Sequence, residues 1–305
     1  MNDTLLKALE LLKKGRLIGL PTETVYGLAA DATNDQAVAS IYALKGRPKV
    51  NPLIIHVSCK QMAKKYVKWN EKAELLAEKF WPGPLTLVLP LKPHTPLSLL
   101  VTAGLSTVAV RVPNHKLALE LLENYPHPLA APSANISMSM SPTSASHVID
   151  AFKEKLELVL DGGDCQVGLE STIVDLSEKS PALLRPGGIS TKDLEAVLKE
   201  KLPPSTTPLL KAPGMMKRHY APSKPLRLNA LNIQKDEALL GFGKTILPVA
   251  FNLSEKGDLK EAASQLFRML RVMDKLSVSR LAVMPIPNEG LGQAINDRLL
   301  RAATT

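Results

Sequence analysis

Short β-rich apolar runs alternate with helical patterns through the first two-thirds of the chain, and this alternation restricts the fold more than any other feature of its 305 residues. The apolar runs fall at 17–20, 53–57, 85–89, 107–112, 129–131, 158–160, 171–176 and 182–184, with helical periodicity at 35–44, 59–66, 71–80, 115–124, 144–152 and 191–201. Strands that alternate with helices build an α/β domain, because each helix can lay its apolar stripe on the sheet. Runs 85–89 and 107–112 are separated by a Pro-rich loop and not by a helix, which predicts a mixed sheet over a purely parallel one. The alternation breaks at 203–225, where Pro203, Pro204, Pro208, Pro213, Pro222 and Pro225 disfavour helix and central strand alike. Beyond it, runs at 238–242, 246–251 and 281–285 and helical patterns at 258–275 and 288–303 predict a small βαβα unit. The reading is two domains, 1–202 and 226–305, joined by a Pro-rich linker over 203–225.

A chain of this length with 45% hydrophobic residues can bury two cores. The formal net charge of +9 is spread along the sequence and suits acidic partners such as nucleotides, phosphates or RNA. Cys59 and Cys165 stand far apart and in no CxxC pattern, which fits a reducing cytoplasm without a disulfide framework or zinc site. Leu5, Leu6, Leu9, Leu11 and Leu12 give the first residues an amphipathic helical face that is not a signal peptide, and no run approaches a membrane span.

Polar chemistry concentrates in residues 20–57. Thr22, Glu23, Thr24 and Tyr26 follow the first apolar run, Lys45, Arg47 and Asn51 come later, and His56 lies inside the second run. Hydroxyls, cations and a histidine at strand ends suit a small zwitterion held beside a polyphosphate. A surface turn, a solvated basic loop and a structural histidine would give the same composition. Pro132-Ser133-Ala134-Asn135 presents a hydroxyl and an amide after a strand, where α/β ligands sit, or it is a simple turn or cap. Ser141-Pro142-Thr143 continues a polar segment able to fold over a ligand. Gly162, Gly163 and Gly168 precede Ser171-Thr172, either to let backbone amides approach an anion or to make a hairpin turn. No lysine precedes that pair, so it is not a Walker A loop. Gly241-Phe242-Gly243 reads as a turn. Arg111 and Arg185 end apolar runs, where a guanidinium can take a carboxylate or phosphate in bidentate fashion. No Ser/His/Asp order, HExxH or paired-carboxylate spacing is evident.

Taken together these residues resemble the threonylcarbamoyl-AMP synthase family in its two-domain form. The stretches that carry the resemblance are PTETVYGL (21–28), KGRP (45–48), PLIIHV (52–57), WPGPLTLVL (81–89), STVAVRVP (106–113), APSAN (131–135), ESTIVD (170–175) and LLRPG (183–187), in family order. APGMMKRHYAP (212–222) resembles the interdomain segment of that form. The resemblance implies a YrdC-like twisted mixed sheet with flanking helices and an open concave site, plus a small C-terminal α/β Rossmann-like domain. It implies that ATP, L-threonine and bicarbonate give threonylcarbamoyl-AMP and pyrophosphate, with magnesium accompanying ATP. The product would pass to a separate tRNA threonylcarbamoyl transferase complex in the cytoplasm, with weak direct RNA binding as a further possibility.

Carried over by position, the threonine residues would be Thr24, His56, Arg111, Ala131 and Ser171. The ATP residues would be Lys45, Arg47, Asn51, Thr107, Ser133, Asn135, Ser141, Arg185 and, from the linker, Tyr220, with Lys45 and Arg47 also catalytic. Arg218, His219 and Tyr220 make the linker a candidate lid. The main alternative is a double-stranded RNA or tRNA-binding module of the same fold without turnover. Carbamoyl-phosphate-using domains of hydrogenase maturation share the fold, but their zinc-finger and acylphosphatase regions have no counterpart here. The intact KGRP and APSAN segments weigh against a degenerate paralogue.

Overall fold

The computed structural model describes residues 2–207, 209–214 and 219–304; Pro208 and Arg218 lie outside the described residues. The first domain is built on strands β1 (Ile18–Leu20), β2 (Gly27–Asp31), β3 (Ile54–His56), β4 (Leu85–Pro90), β5 (Thr107–Arg111), β6 (Leu129–Ala130), β7 (Thr172–Asp175) and β8 (Ala182–Arg185). They form one mixed sheet in the order β1-β2-β6-β3-β5-β4-β7-β8. β4 and β5 pair antiparallel, as expected for neighbours joined without a crossover helix, while β3–β5 and β4–β7 are parallel.

The two faces of the sheet follow from the period-two alternation of side chains. Ile55, Leu85, Leu87, Leu89, Val108, Val110 and Val174 point into the main core, under helices that include α1 (Asp35–Lys45) and α2 (Glu71–Phe80). A fully buried aliphatic side chain of this kind contributes about 1.5–3 kcal/mol. The intervening residues Ile54, Val88, Ala109 and Ile173 form a small cluster on the opposite face with Leu184 and Ala212. His56 and Arg111 continue that face at the strand ends. On the His56–Arg111 face, Ile18, Leu20, Ala29 and Leu129 pack with Leu5, Leu9 and Leu12 of the N-terminal helix and with Leu121 and Leu122, so only the part of that face over β3, β5, β4 and β7 is left for ligand chemistry.

In the second domain β9 (Leu226–Arg227), β10 (Glu237–Gly241), β11 (Phe251–Asn252) and β12 (Arg280–Val283) form a parallel sheet in the order β11-β10-β12-β9. It is covered by α3 (Leu259–Asp274) and α4 (Gly292–Ala303). Asp258 caps α3 by accepting from the Lys260 and Glu261 amides. The core of this domain also takes in Met140, Leu169 and Tyr220, so the two halves of the chain share apolar packing. Gly168, at φ +71, lies where an added Cβ would meet Ser264 Cα at 2.5 Å. This glycine therefore permits the close approach of α3.

Several expectations need adjustment. The run 158–160 is not a strand; Val159 makes only an isolated bridge to Gly19. The strand predicted at 246–251 shrinks to β11, and Ile246 is fully exposed. The last helix begins at Gly292, after a turn that includes Gly290 at φ +50. No helix among the described residues is long and apolar enough to cross a membrane.

Candidate active site

A cavity opens on the uncovered part of the His56–Arg111 face of the large sheet. It encloses about 530 Å³ outside the atoms, open solvent at its mouth included. Its walls come from the loop before β2 (Thr22, Thr24, Val25), the strand ends His56 and Arg111, and the turn after β6 (Ala131, Pro132, Ser133). Glu170, Ser171 and Arg185 close one side, and Pro213, Gly214, His219 and Tyr220 of the linker lie over it. The site is concave but roofed, because the linker packs across the sheet.

Each charged group is placed by a local feature of the sequence. Gly46, at φ 61, ends α1 in the left-handed conformation, and the Arg47 amide bonds back to the Tyr42 carbonyl. Lys45 is thereby fixed in the last helical turn and buried, with its ammonium donating to the carbonyls of Ser133 and Asn135. Arg47 donates to the Asn51 side chain and to the Pro52 carbonyl, both at 2.7 Å. Arg185 donates to the Ser171 carbonyl at 2.9 Å and the Pro213 carbonyl at 3.2 Å.

Arg111 sits differently. Register places it beside His56 across the β3–β5 pair. It donates to Thr24 Oγ1 at 2.8 Å and to the buried carboxylate of Glu23 at 2.6 Å. The remaining oxygen of Glu23 and Nδ1 of His56 have no hydrogen-bond partner among the described residues.

Ionisation follows burial. Desolvation, with Arg47 adding repulsion, holds the Lys45 pKa well below its ordinary value. Burial lowers Arg47 to about 10 and pulls Arg185 down as well. Burial, then the nearby Arg111, lowers His56 to about 3, so its ring is neutral near pH 7. Glu170 goes the other way: burial raises it, but Arg298 and Arg185 outweigh that and bring it to about 2.

Of the residues read from the sequence, Thr24, Arg47, His56, Arg111, Ala131, Ser133, Ser171, Arg185 and Tyr220 line the cavity. Lys45 stands directly behind Ser133, and Asn51 braces Arg47. Asn135 donates to the Ile136 and Ser139 carbonyls, holding the turn after β6. Thr107 occupies the far end of β5 from Arg111. Ser141 is fully buried behind the wall, with its hydroxyl on Glu170. Sequence reasoning assigned no role to Glu23, Glu170 or Arg298. Their only signal was an acidic residue beside a Thr or Ser in two motifs and an arginine on a distant helix.

The site is a cation-rich cavity on an α/β sheet, with a neutral histidine and a polar corner, and is roofed by an interdomain segment. Residues 10–187 match the Sua5–YciO–YrdC family model, described as telomere recombination, and residues 189–304 match the model of the threonylcarbamoyl-AMP synthase C-terminal domain. The chain is 42% identical to the threonylcarbamoyl-AMP synthase of Pyrococcus abyssi, over 96% of its own length and 92% of that protein's. It is 38% identical to the corresponding enzyme of Bacillus subtilis, over 97% and 92%. The crystal structure of P. abyssi Sua5 with L-threonine superposes with a TM-score of 0.90 at 39% identity, covering 98% of this chain and 94% of that one. The chain belongs to the threonylcarbamoyl-AMP synthase family, in its two-domain form.

Proposed function

We propose that this protein is an L-threonylcarbamoyladenylate synthase, a nucleotidyltransferase that converts L-threonine, bicarbonate or carbon dioxide, and ATP into threonylcarbamoyl-AMP and pyrophosphate. One observation carries the reading beyond kinship. Lys45, Arg47 and Arg185 are buried together, and their hydrogen bonds among the described residues go to neutral oxygens. Burying three cations without carboxylate partners is costly, and a bound polyanion repays that cost. ATP supplies such a charge.

The other corner suits threonine. Arg111 and Thr24 offer donors to a carboxylate, and the neutral His56 offers a ring nitrogen to a polar group. The threonine amine attacks carbon dioxide to form a carbamate and releases a proton. A carbamate oxygen then attacks the α-phosphorus, and the α–β bridging oxygen leaves with pyrophosphate. No enzyme nucleophile is required. Lys45, Arg47 and Arg185 stabilise the charge that develops on the phosphates, and positioning does the rest.

Magnesium bound with ATP would supply charge neutralisation for the polyphosphate. Magnesium usually keeps several waters and binds substrate phosphates, so ATP itself would supply much of its coordination. The roof over the cavity, His219 and Tyr220, would keep water from the labile adenylate. We place this work in the cytoplasm, with the product passed to a tRNA threonylcarbamoyl transferase complex; free Cys59 and Cys165 suit a reducing compartment. Turnover with carbon-13 bicarbonate tests the assignment. The label should appear in an adenylate that also contains threonine; label confined to free bicarbonate while AMP accumulates would refute it.

A further inference from the structure

Arg298, on α4 of the C-terminal domain, is the largest fully buried side chain among the described residues, and it reaches the wall of the cavity through Glu170. Its Nε donates to Glu170 at 2.7 Å and its Nη2 to the Pro186 carbonyl at 3.0 Å. Its guanidinium stands 5.1 Å from the ring of Tyr220, the linker residue over the cavity. Glu170 lines the cavity next to Ser171 and shares its charge field with Arg185. A buried carboxylate at that place is a hazard for a polyphosphate site, since unpaired it would repel the ligand or seize Arg185.

Resting on the reading of this cavity as an ATP site, we infer that Arg298 is a positioning residue. Supplied by the C-terminal domain, it occupies Glu170 so that Arg185 stays available to the phosphates. The geometry supports a division of labour. Glu170 Oε2 is taken by Arg298 and Oε1 by the Ser141 hydroxyl, while Arg185 bonds only to neutral oxygens among the described residues. Asp297 also touches Arg298, but it keeps Arg301 at 3.0 Å as a second partner, so Glu170 is the group exposed by loss of Arg298. The C-terminal domain thereby completes the electrostatics of a cavity whose other charged walls belong to the first domain and the linker.

Arg298→Met and Arg298→Met/Glu170→Gln test this, with ATP and threonine affinities measured calorimetrically on the full chain. The amide introduced by Glu170→Gln retains an oxygen for the Ser141 hydroxyl and carries no charge. Arg298→Met should weaken ATP about tenfold or more, the scale of a buried charge left unpaired, and leave threonine nearly unchanged. The double variant should recover ATP binding to within about a factor of two of wild type, because removing both partners of a buried pair is tolerated. A double variant that binds ATP as poorly as Arg298→Met would overturn the inference, as would an Arg298→Met that binds ATP normally. If Arg298→Met does not fold, Glu170→Gln alone decides: ATP binding equal to or tighter than wild type supports the inference, and tenfold weaker binding refutes it. Failure of wild type itself to bind ATP would instead refute the reading of the cavity.

Discussion

Arg47 and Arg111 are held by different partners, and their loss should be felt by different ligands. Arg47 is braced by neutral oxygens beside Lys45, whereas Arg111 already answers Glu23 and stands beside His56. Arg47→Ala should weaken ATP more than threonine, and Arg111→Ala the reverse, each by about 1.5–3 kcal/mol for loss of a charge-assisted bond. Titration of both ligands into both variants checks this; equal losses within each variant would show that the two corners are not separate. The buried histidines make a second prediction. His56 and His219 sit at about 3 in the fold, chiefly through burial, against an ordinary 6.5. Protons therefore bind the unfolded chain first, so the stability these rings contribute is complete above pH 6.5 and is lost as pH falls toward 3. Each ring removes up to about 1.4 kcal/mol per pH unit inside that window. Glu170, lowered from 4.5 to about 2, loses its contribution only below 4.5 and leaves the upper part of the window to the histidines. The unfolding temperature should therefore fall as pH drops from about 6.5 to 5, and His56→Asn should flatten that slope; an unaltered slope would mean that His56 is not held neutral. At this scale the sequence displays its cations and hydroxyls plainly. It hides Glu23 and Glu170, because acid beside a hydroxyl residue is common and the deciding partners, Arg111 and Arg298, lie far along the chain.

Gly214 shows how an element takes its shape from one residue. It adopts φ +85, and an added Cβ would lie 2.8 Å from Arg185 Cδ and 3.0 Å from the Tyr220 hydroxyl. Gly214→Ala should therefore lift the linker from the cavity, speed amide exchange in residues 212–214 and 219–222, and raise the ratio of AMP to threonylcarbamoyl-AMP by admitting water. Wild-type exchange together with a wild-type product ratio would contradict the roof's role. Other elements differ in how openly the sequence declares them. Helix α1 has Asn34 as a side-chain cap at its start and Gly46 at its end, and α2 has Asn70, so their limits are written locally. Strand β2, GLAAD, has no β-branched residue and is buried at every position, so it offers neither composition nor alternation and escapes notice. β9 is two residues long and is recognisable only through its pairing with β12. The run 158–160 carries a strand's composition without a strand's partner beyond one bridge.

On the scale of the whole molecule, the alternation of the first two-thirds and the Pro-rich break yield the two α/β layers and the segment between them. What the pattern leaves unsaid is how the layers meet. Met140 and Leu169 of the first domain enter the core of the second, Arg271 of α3 donates to the Met140 carbonyl, and Arg298 reaches Glu170. Such meetings are set by tertiary packing of residues more than a hundred positions apart, which no local periodicity records. The assembled molecule gathers four cations around one cavity, Lys45, Arg47, Arg111 and Arg185, with Glu23 and Glu170 as the acidic groups paired to Arg111 and Arg298. Such an excess suits a site that joins ATP to a carbamate made from threonine. The direct measurement is pyrophosphate release by the full chain with ATP and magnesium, omitting threonine and bicarbonate in turn. Release should require both. Equal release when either is left out would contradict threonylcarbamoyl-AMP synthesis and leave only ATP hydrolysis.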